Sequence, residues 1–322
     1  MQSELVLEVL DVVDFAADLK LLEVGSRATC DGVRAFGTLY DEHSEDRKSR
    51  ERIQEYVEGL EYRIRALGHV LDQFDREYAR HETWLVKEHR DSLAQKRSFF
   101  PRMPHLNYTE IALGSIVDSY SFHMNSAFDY LAHMLSYVSG SREHGKSHDW
   151  ASLARSAGNA QSVLRKSPLG SAIVRVDSTF VKRIEEYRNR VIHKQKDDLE
   201  LRMLFDEDKD FYILLTASEF LRKTFRKCLL AEGPYSIRYF LRWLHARSLL
   251  EVGNLLRVAG RDTLSKSVFL ANIRKPKADR TWSLVVADGP FMKPVSDHMW
   301  KHYERTIREF SQTVSMESVL LT

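Results

Sequence analysis

The stretch IQEYVEGLEYRIRALGHVLDQFDREYARHETWL, residues 53–85, decides the fold, because its apolar residues recur at alternating steps of four and three. The positions that share this spacing are Ile53, Val57, Leu60, Ile64, Leu67, Leu71, Phe74, Tyr78, His81 and Leu85. Such a heptad pattern places one apolar seam along an α-helix. It therefore predicts a single long helix over residues 48–97. The partner of its seam is a helix at 2–24, another bundle helix or a second copy of the chain, and we expect packing within the chain.

The residues on both sides of this seam predict further helices. The predicted segments are residues 2–24, 107–138, 150–165, 176–196, 215–231, 235–258 and 295–312. The chain has only 14 Gly and 7 Pro among 322 residues, a composition that favours helices over a turn-rich β fold. The segments SVFLANIR and TWSLVVAD, joined by KPKADR, predict a small β-hairpin before the last helix. The predicted fold class is therefore all-α, a helical bundle with a long heptad-patterned helix and a small C-terminal hairpin.

Prolines and the hairpin divide the chain into three predicted regions. Pro101 and Pro104 end the heptad helix, since proline cannot continue a helix from within. We therefore expect an N-terminal coiled-coil-like region at 1–100, a helical bundle at 101–260, and the hairpin with its helix at 261–322.

Composition and charge exclude several classes of protein. The formal net charge is only +2, so any contact with RNA needs a local basic patch. Cys30 and Cys228 have no CxxC spacing, which argues against a disulfide scaffold or a cysteine zinc site. No Lys or Arg precedes Lys20, so the basic region of a secretory signal is missing, and no apolar run matches a membrane span. We expect a soluble cytoplasmic protein with no cofactor or metal, and with neither a membrane nor DNA as partner.

The hexapeptide RNRVIH, residues 188–193, is the strongest functional signal. On a helix, residues four apart differ by about 40°, so Asn189 and His193 share a face. Arg188 points about 140° away from His193 and falls within an apolar stripe. The residues of this stripe are Val181, Ile184, Tyr187, Val191 and Ile192. An arginine on such a stripe is costly unless it is paired or opens into a cleft, where it could turn towards the other two.

These three residue types suit the cleavage of a phosphodiester. His193 can take up or deliver a proton near neutral pH, because the pKa of histidine is about 6.5. Arg188 can hold the phosphate and neutralise charge in the transition state. Asn189 can orient the histidine or hold an oxygen of the substrate. RNA carries its own nucleophile, the 2′-hydroxyl, so this chemistry needs no metal.

The same three residues resemble the motif of the HEPN superfamily, R-[polar]-x-x-x-H on a helix of an all-α bundle. Arg188, Asn189 and His193 match it in order and spacing, and the resemblance covers residues 105–260. It implies symmetric dimers with facing motif helices, and metal-independent RNase activity in toxin, defence or stress systems. Some toxin members carry a tyrosine where this chain has Gln195, so control through that tyrosine is not expected. Members without activity define an alternative, a silent module that binds nucleotides, RNA or protein.

A second alternative comes from GSREHGKS, residues 140–147, which matches the P-loop pattern of nucleotide-hydrolysing proteins. In that alternative Lys146 and Ser147 would contact phosphates and magnesium. A P-loop needs a buried strand before it, whereas the preceding residues have helical periodicity. We therefore expect an exposed loop between helices.

Three further groups have weaker signals. Asn125 and Asp129 could orient a catalytic group if their helix packs beside the motif, although a surface pair is the simpler expectation. The run RYFLRWLHAR, 238–247, predicts a core helix with its arginines at the rim, or else a stacking surface for RNA. His298 and His302 have zinc-ligand spacing, but an exposed helix face is the simpler expectation.

Overall fold

Helices dominate the described part of the chain, which confirms the predicted all-α bundle. The computed structural model describes residues 15–43, 47–98, 103–138, 149–193, 200–205, 211–216, 218–225 and 237–266. The helices in chain order are α1 (Phe15–His43), α2 (Arg47–Ala94), α3 (Met103–Val138), α4 (Trp150–Gly158), α5 (Pro168–Val176), α6 (Lys182–His193), α7 (Glu219–Phe225) and α8 (Ile237–Lys266). Among these described helices, none has an apolar stretch long enough to cross a membrane.

The heptad seam forms the predicted long helix. Helix α2 spans Arg47–Ala94, and all ten seam residues are buried. His81, the polar residue of the seam, is accommodated because its Nδ1 lies 2.9 Å from the hydroxyl of Thr109 on α3. The seam packs within the chain, so intramolecular contacts cover it.

The helices that pack against α2 are α3, α1 and α8. Helices α2 and α3 run antiparallel, because Arg63 lies beside His123 while His81 lies beside Thr109. At Gly59 the two helices approach so closely that an added Cβ would overlap the ring of Tyr130. A glycine within a helix ordinarily weakens it, whereas Gly59 permits this close packing of α2 on α3.

The predicted boundary near residue 100 does not separate two cores. One cluster of buried side chains extends from Leu22 on α1, through the seam of α2, to Ala259 on α8. The prediction that Pro101 and Pro104 end the heptad helix is wrong, since α2 ends at Ala94, where Lys96 adopts a positive φ of 52°, and Pro104 lies in the first turn of α3. Helix α3 then runs back along α2 and covers it. The regions 1–100 and 101–260 therefore share one bundle, and 261–322 lies almost entirely outside the described residues.

A two-stranded hairpin that the sequence analysis did not predict follows α6. Strands β1 (Glu200–Phe205) and β2 (Phe211–Thr216) pair antiparallel. The helix predicted at 215–231 begins later than predicted, at Glu219, and is described as far as Phe225. Two six-residue runs rich in large apolar residues flank an acidic turn here, which is a hairpin pattern. The hairpin predicted at 267–288 lies outside the described residues.

Candidate functional site

The motif lies at the end of a continuous helical segment that begins at Pro168. The side chain of Ser167 caps this start by accepting from the amide of Gly170. Residues Asp177–Val181 form a π-helical turn, in which the amide of Lys182 donates to the carbonyl of Asp177. Such turns insert an extra residue and change the direction of side chains. Asp177, the first residue of this turn, accepts through its carboxylate from the indole Nε1 of Trp150 on α4, at 2.9 Å.

The apolar stripe of α6 is buried where its side chains are described. Val181, Ile184 and Tyr187 are buried, which agrees with the projection from the sequence. Arg188 is half-buried beside them, whereas Asn189 is exposed. The backbone is helical through His193, and the side chains of 191–193 lie outside the described part. The motif is therefore on a helix, with Arg188 at the junction of core and surface.

Helix α3 packs against α6 and brings Asp129 to the motif, so the expectation of a plain surface pair is wrong. The carboxylate of Asp129 accepts from the Trp150 amide at 3.0 Å and from Asn125 Nδ2 at 3.1 Å. Burial raises the pKa of Asp129, while the Trp150 amide and the charge of Arg188 lower it. Asp129 is thus a fixed carboxylate within the electrostatic reach of Arg188.

Arg188 itself forms no hydrogen bond or ion pair with any described residue, and its Nε is buried without a partner. Burial raises the pKa of Glu185, one turn earlier, and the carboxylates of Asp177, Asp149 and Asp129 raise it further. Arg188 acts in the opposite direction on Glu185. The guanidinium therefore lies among carboxylates that it does not contact directly. In the described part of the chain, no group of three or more His, Cys, Asp or Glu side chains is arranged to hold a metal ion.

Arg190 is a site residue that sequence reasoning missed. Its guanidinium carbon lies 3.8 Å from the ring centroid of Phe220 on α7. Phe220 in turn stacks on Tyr187, with ring centroids 6.2 Å apart and an interplanar angle of 16°. Arg190 is exposed, and no described carboxylate pairs with it. The sequence shows Arg190 as the second arginine of RNRVIH. It does not show the ring beneath Arg190, because Phe220 belongs to a separate helix.

The P-loop alternative lacks its strand. Residues up to Val138 are helical, and Asp149 caps α4 by accepting from the amide of Ser152. Residues 140–147, for which the sequence predicts an exposed loop, lie outside the described residues. A helix therefore stands where a phosphate-binding loop needs a buried strand.

The segment 238–247 forms part of the core and not a stacking surface. Phe240 and Trp243 are buried as predicted. The expectation that its arginines form a rim is wrong for Arg242, which is 0% exposed and pairs with Asp75 on α2. The side chain is buried because Asp75 neutralises it within the bundle.

A cavity of about 860 Å³ lies between α1, α2 and α8, and Ser26 and His245 are among the residues that line it. Tyr120 donates to the carbonyl of Leu241, so its oxygen accepts from Nδ1 of His245 at 3.0 Å. The hydroxyl of Ser26 then donates to Nε2 of His245 at 2.9 Å. Burial lowers the pKa of His245 to about 4, which makes it too weak a base to activate Ser26. This chain of hydrogen bonds satisfies buried polar groups.

Comparison with known proteins identifies no relative. No protein-family model, curated protein or solved structure matches this chain. The chemistry of the motif region therefore follows from its own side chains and their surroundings.

Proposed function

We propose that this protein is a metal-independent endoribonuclease of the HEPN type. The observation that carries the proposal is Arg188, a half-buried guanidinium on the motif helix with no hydrogen bond to any described residue. Leaving such a group without a partner costs free energy, and a phosphate is a ligand that matches its donors. A cytoplasmic role in a toxin, defence or stress system, which the resemblance implies, belongs to the same proposal.

Each motif residue has a separate role in the proposed reaction. His193 acts as general base or acid, taking the proton of the 2′-hydroxyl or delivering one to the leaving 5′-oxygen. The 2′-oxygen forms a bond to phosphorus while the bond to the 5′-oxygen breaks, which leaves a 2′,3′-cyclic phosphate. Arg188 holds the phosphate and neutralises its developing charge, and Asn189 orients the histidine or a substrate oxygen.

Arg190 adds a second cation to the proposed site. It lies one helical turn before His193 and keeps a flat, exposed guanidinium on Phe220. Since its charge is not neutralised by any described carboxylate, it can contact a substrate phosphate without breaking an ion pair. We assign it to substrate binding, and Arg188 to the transition state.

The test is to incubate metal-free protein with mixed RNA and to look for fragments that end in 2′,3′-cyclic phosphate. His193→Ala and Arg188→Ala should each abolish cleavage, with helicity and melting nearly unchanged, and EDTA should have no effect. Arg190→Ala should raise KM about tenfold with little change in kcat, because it removes binding that is uniform along the reaction. Equal cleavage by wild type and His193→Ala would refute the catalytic assignment.

Stability measurements separate a catalytic arginine from a structural one. Arg188→Ala removes a side chain that forms no described ion pair, so we expect a change in the free energy of unfolding below about 1 kcal/mol. A much larger loss would show that Arg188 holds the bundle together. Arg188→Lys serves as a control, since it keeps the charge but loses the planar donors.

The carboxylates near Arg188 favour a second candidate, a catalytically silent module that binds nucleotides, RNA or protein. Asp129, Asp149, Asp177 and Glu185 all act on this region, and like charges repel a phosphate. In this alternative Arg188 only offsets part of their charge. Binding of RNA without cleavage, together with equal binding by His193→Ala, would favour it.

A further inference from the structure

Two exposed aromatic side chains flank Arg63 where α2 and α3 meet. Tyr62 on α2 is 61% exposed and Phe122 on α3 is 43% exposed. Large aromatic side chains are usually buried on most of their surface, so an exposed pair on adjacent helices is informative. We name Tyr62, Arg63, Phe122 and His123 the aromatic platform.

Arg63 holds the aromatic platform together. Its guanidinium carbon lies 5.3 Å from the ring centroids of both Tyr62 and Phe122. Its Nη1 also lies 2.9 Å from Nδ1 of His123. Burial and the charge of Arg63 lower the pKa of His123, so this ring is neutral at neutral pH and accepts the hydrogen bond. The arginine is thereby fixed between the rings.

The charge of the aromatic platform is not neutralised within the described chain. No described carboxylate pairs with Arg63, whereas Arg65, two residues later, pairs with Glu61. The platform therefore combines two exposed π-faces with an available positive charge. Nucleic acids offer the complementary pair, a flat base and an anionic backbone.

Helix α3 connects the aromatic platform to the motif region. Phe122, Asn125 and Asp129 lie on one face of α3, because their spacings of three and four follow the helical repeat. Seven residues separate Phe122 from Asp129, which is about 10 Å along the helix axis. That length matches about three stacked nucleotides at 3.4 Å each. A strand bound at the platform can thus reach the part of α3 that packs on the motif helix α6.

We propose that the aromatic platform binds single-stranded RNA by stacking unpaired bases on Tyr62 and Phe122. Single-stranded RNA fits because its bases are free to leave the stack, whereas a duplex hides their faces. A protein partner fits less well, because it would have to supply both a carboxylate for Arg63 and flat side chains for the two rings, whereas every nucleotide has an anion and a flat base. That the platform guides RNA towards the motif rests on the proposed function. That the platform binds RNA does not.

The experiment measures fluorescence anisotropy of a labelled single-stranded RNA hexamer in the His193→Ala background, with a blunt duplex of equal length as comparison. Tyr62→Ala and Phe122→Ala should each weaken hexamer binding at least about fivefold, the lower end of the loss per stacked base. Tyr108→Ala is the matched control, since Tyr108 is 56% exposed on the same helix. It lies about 21 Å from Phe122 along the axis and should leave binding unchanged.

Two arginine variants test the charge of the aromatic platform. Arg63→Gln should lower the salt dependence of log K by about 0.7, the slope for one phosphate contact on a single strand. Arg65→Gln should lower it less, because residues two apart on a helix differ by about 200°, which places Arg65 on a different face from Arg63. Melting curves identify any variant that fails to fold. If an arginine variant fails to fold, Tyr62→Ala and Phe122→Ala alone decide the outcome.

The outcomes separate the aromatic platform from the nuclease. Weakened binding in the ring variants supports the platform, even if wild type cleaves no RNA. Unchanged binding in both ring variants, or a preference for the duplex, overturns it, even if His193→Ala abolishes cleavage. If the ring variants turn a dimer into a monomer without changing RNA affinity, the surface is a protein interface and the proposal is wrong.

Discussion

Arg242 is a cation of zero solvent exposure whose charge depends on a carboxylate from another helix. Its Nη2 donates to Asp75 on α2, and Arg238 donates to the other oxygen of the same carboxylate at 3.1 Å. One buried acid thus fixes the start of α8 on α2. Such a pair contributes little net free energy compared with apolar packing, but breaking it leaves a buried charge alone.

We predict that Asp75→Asn destabilises the protein by about 3 kcal/mol, because Arg242 loses the charge that offsets its burial. Urea unfolding at constant pH measures this loss. Asp72→Asn is the matched control on the same helix, since its pair with Arg76 is exposed at both ends and should change stability by less than about 1 kcal/mol. Equal effects of the two variants would contradict the role of Asp75.

His245 makes stability depend on pH in a defined window. Burial lowers its pKa from 6.5 to about 4, so between these values the unfolded chain binds the proton and the folded chain does not. The neutral, buried His245 therefore costs no stability above about pH 6.5. As the pH falls from 6.5 towards 4, the free energy of unfolding decreases, because only the unfolded chain takes up the proton. Asp129 and Glu185, whose pKa values are raised, act in the opposite direction.

We predict that wild type loses roughly 3 kcal/mol more than His245→Gln between pH 6.5 and 4, since glutamine takes up no proton. Urea unfolding of both proteins across this range measures the difference, and the contributions of the carboxylates cancel in the comparison. Parallel pH curves for the two proteins would show that His245 is protonated in the folded state.

At the scale of elements, two glycines of α2 differ in what surrounds them. Gly59 faces the ring of Tyr130 across the contact with α3, whereas a Cβ at Gly68 would have no atom within 4 Å. The same residue type therefore permits close packing at one position and only weakens the helix at the other.

We predict opposite signs for alanine at these positions. Gly59→Ala should destabilise by about 1–2 kcal/mol, because the ring of Tyr130 must move within a packed contact. Gly68→Ala should stabilise by about 0.5–1 kcal/mol, because alanine has the higher helix propensity. Thermal unfolding of the two variants gives the signs directly. A gain in both would mean that the two helices can separate slightly without cost.

At the scale of the whole molecule, the assembly remains a prediction. One chain supplies a single His193, whereas proton transfer at both the entering and the leaving oxygen calls for a second acid or base. Antiparallel pairing of two α6 helices would bring two copies of His193 and Arg188 to one groove. A two-fold axis near the motif helix is therefore expected, and the exposed Asn189 would face it.

We predict a dimer by light scattering, and dissociation with loss of cleavage in Glu186→Lys. Glu186 is 41% exposed on α6 and pairs with Arg183, so Glu186→Gln is the control that removes this pair without reversing the charge. A monomer that cleaves RNA at full rate would contradict the shared site. So would a dimer that carries its two His193 residues on opposite outer faces.

The sequence by itself determined the long helix α2 and the helical state of the motif, but not every helix boundary. The first helix was predicted at 2–24, whereas α1 continues to His43, and the helix predicted at 150–165 ends at Gly158. The ten positions of the seam at 53–85 are all buried, and the motif residues 188–193 lie on a helix. These features follow from local periodicity, since a helix repeats every 3.6 residues whatever it packs against. The β1–β2 hairpin was missed although its pattern is also local, because the large apolar residues of such short segments suit a helix as well as a strand.

Only the tertiary structure decided which charges are buried and what surrounds the candidate site. Arg242 and Asp75 are 167 residues apart in the chain, and Asp129 reaches the motif only because α3 packs on α6. Arg190 likewise gains its support from Phe220 on a separate helix. Periodicity along one helix contains no information about these partners, because the sign and position of a neighbouring charge depend on how distant segments pack.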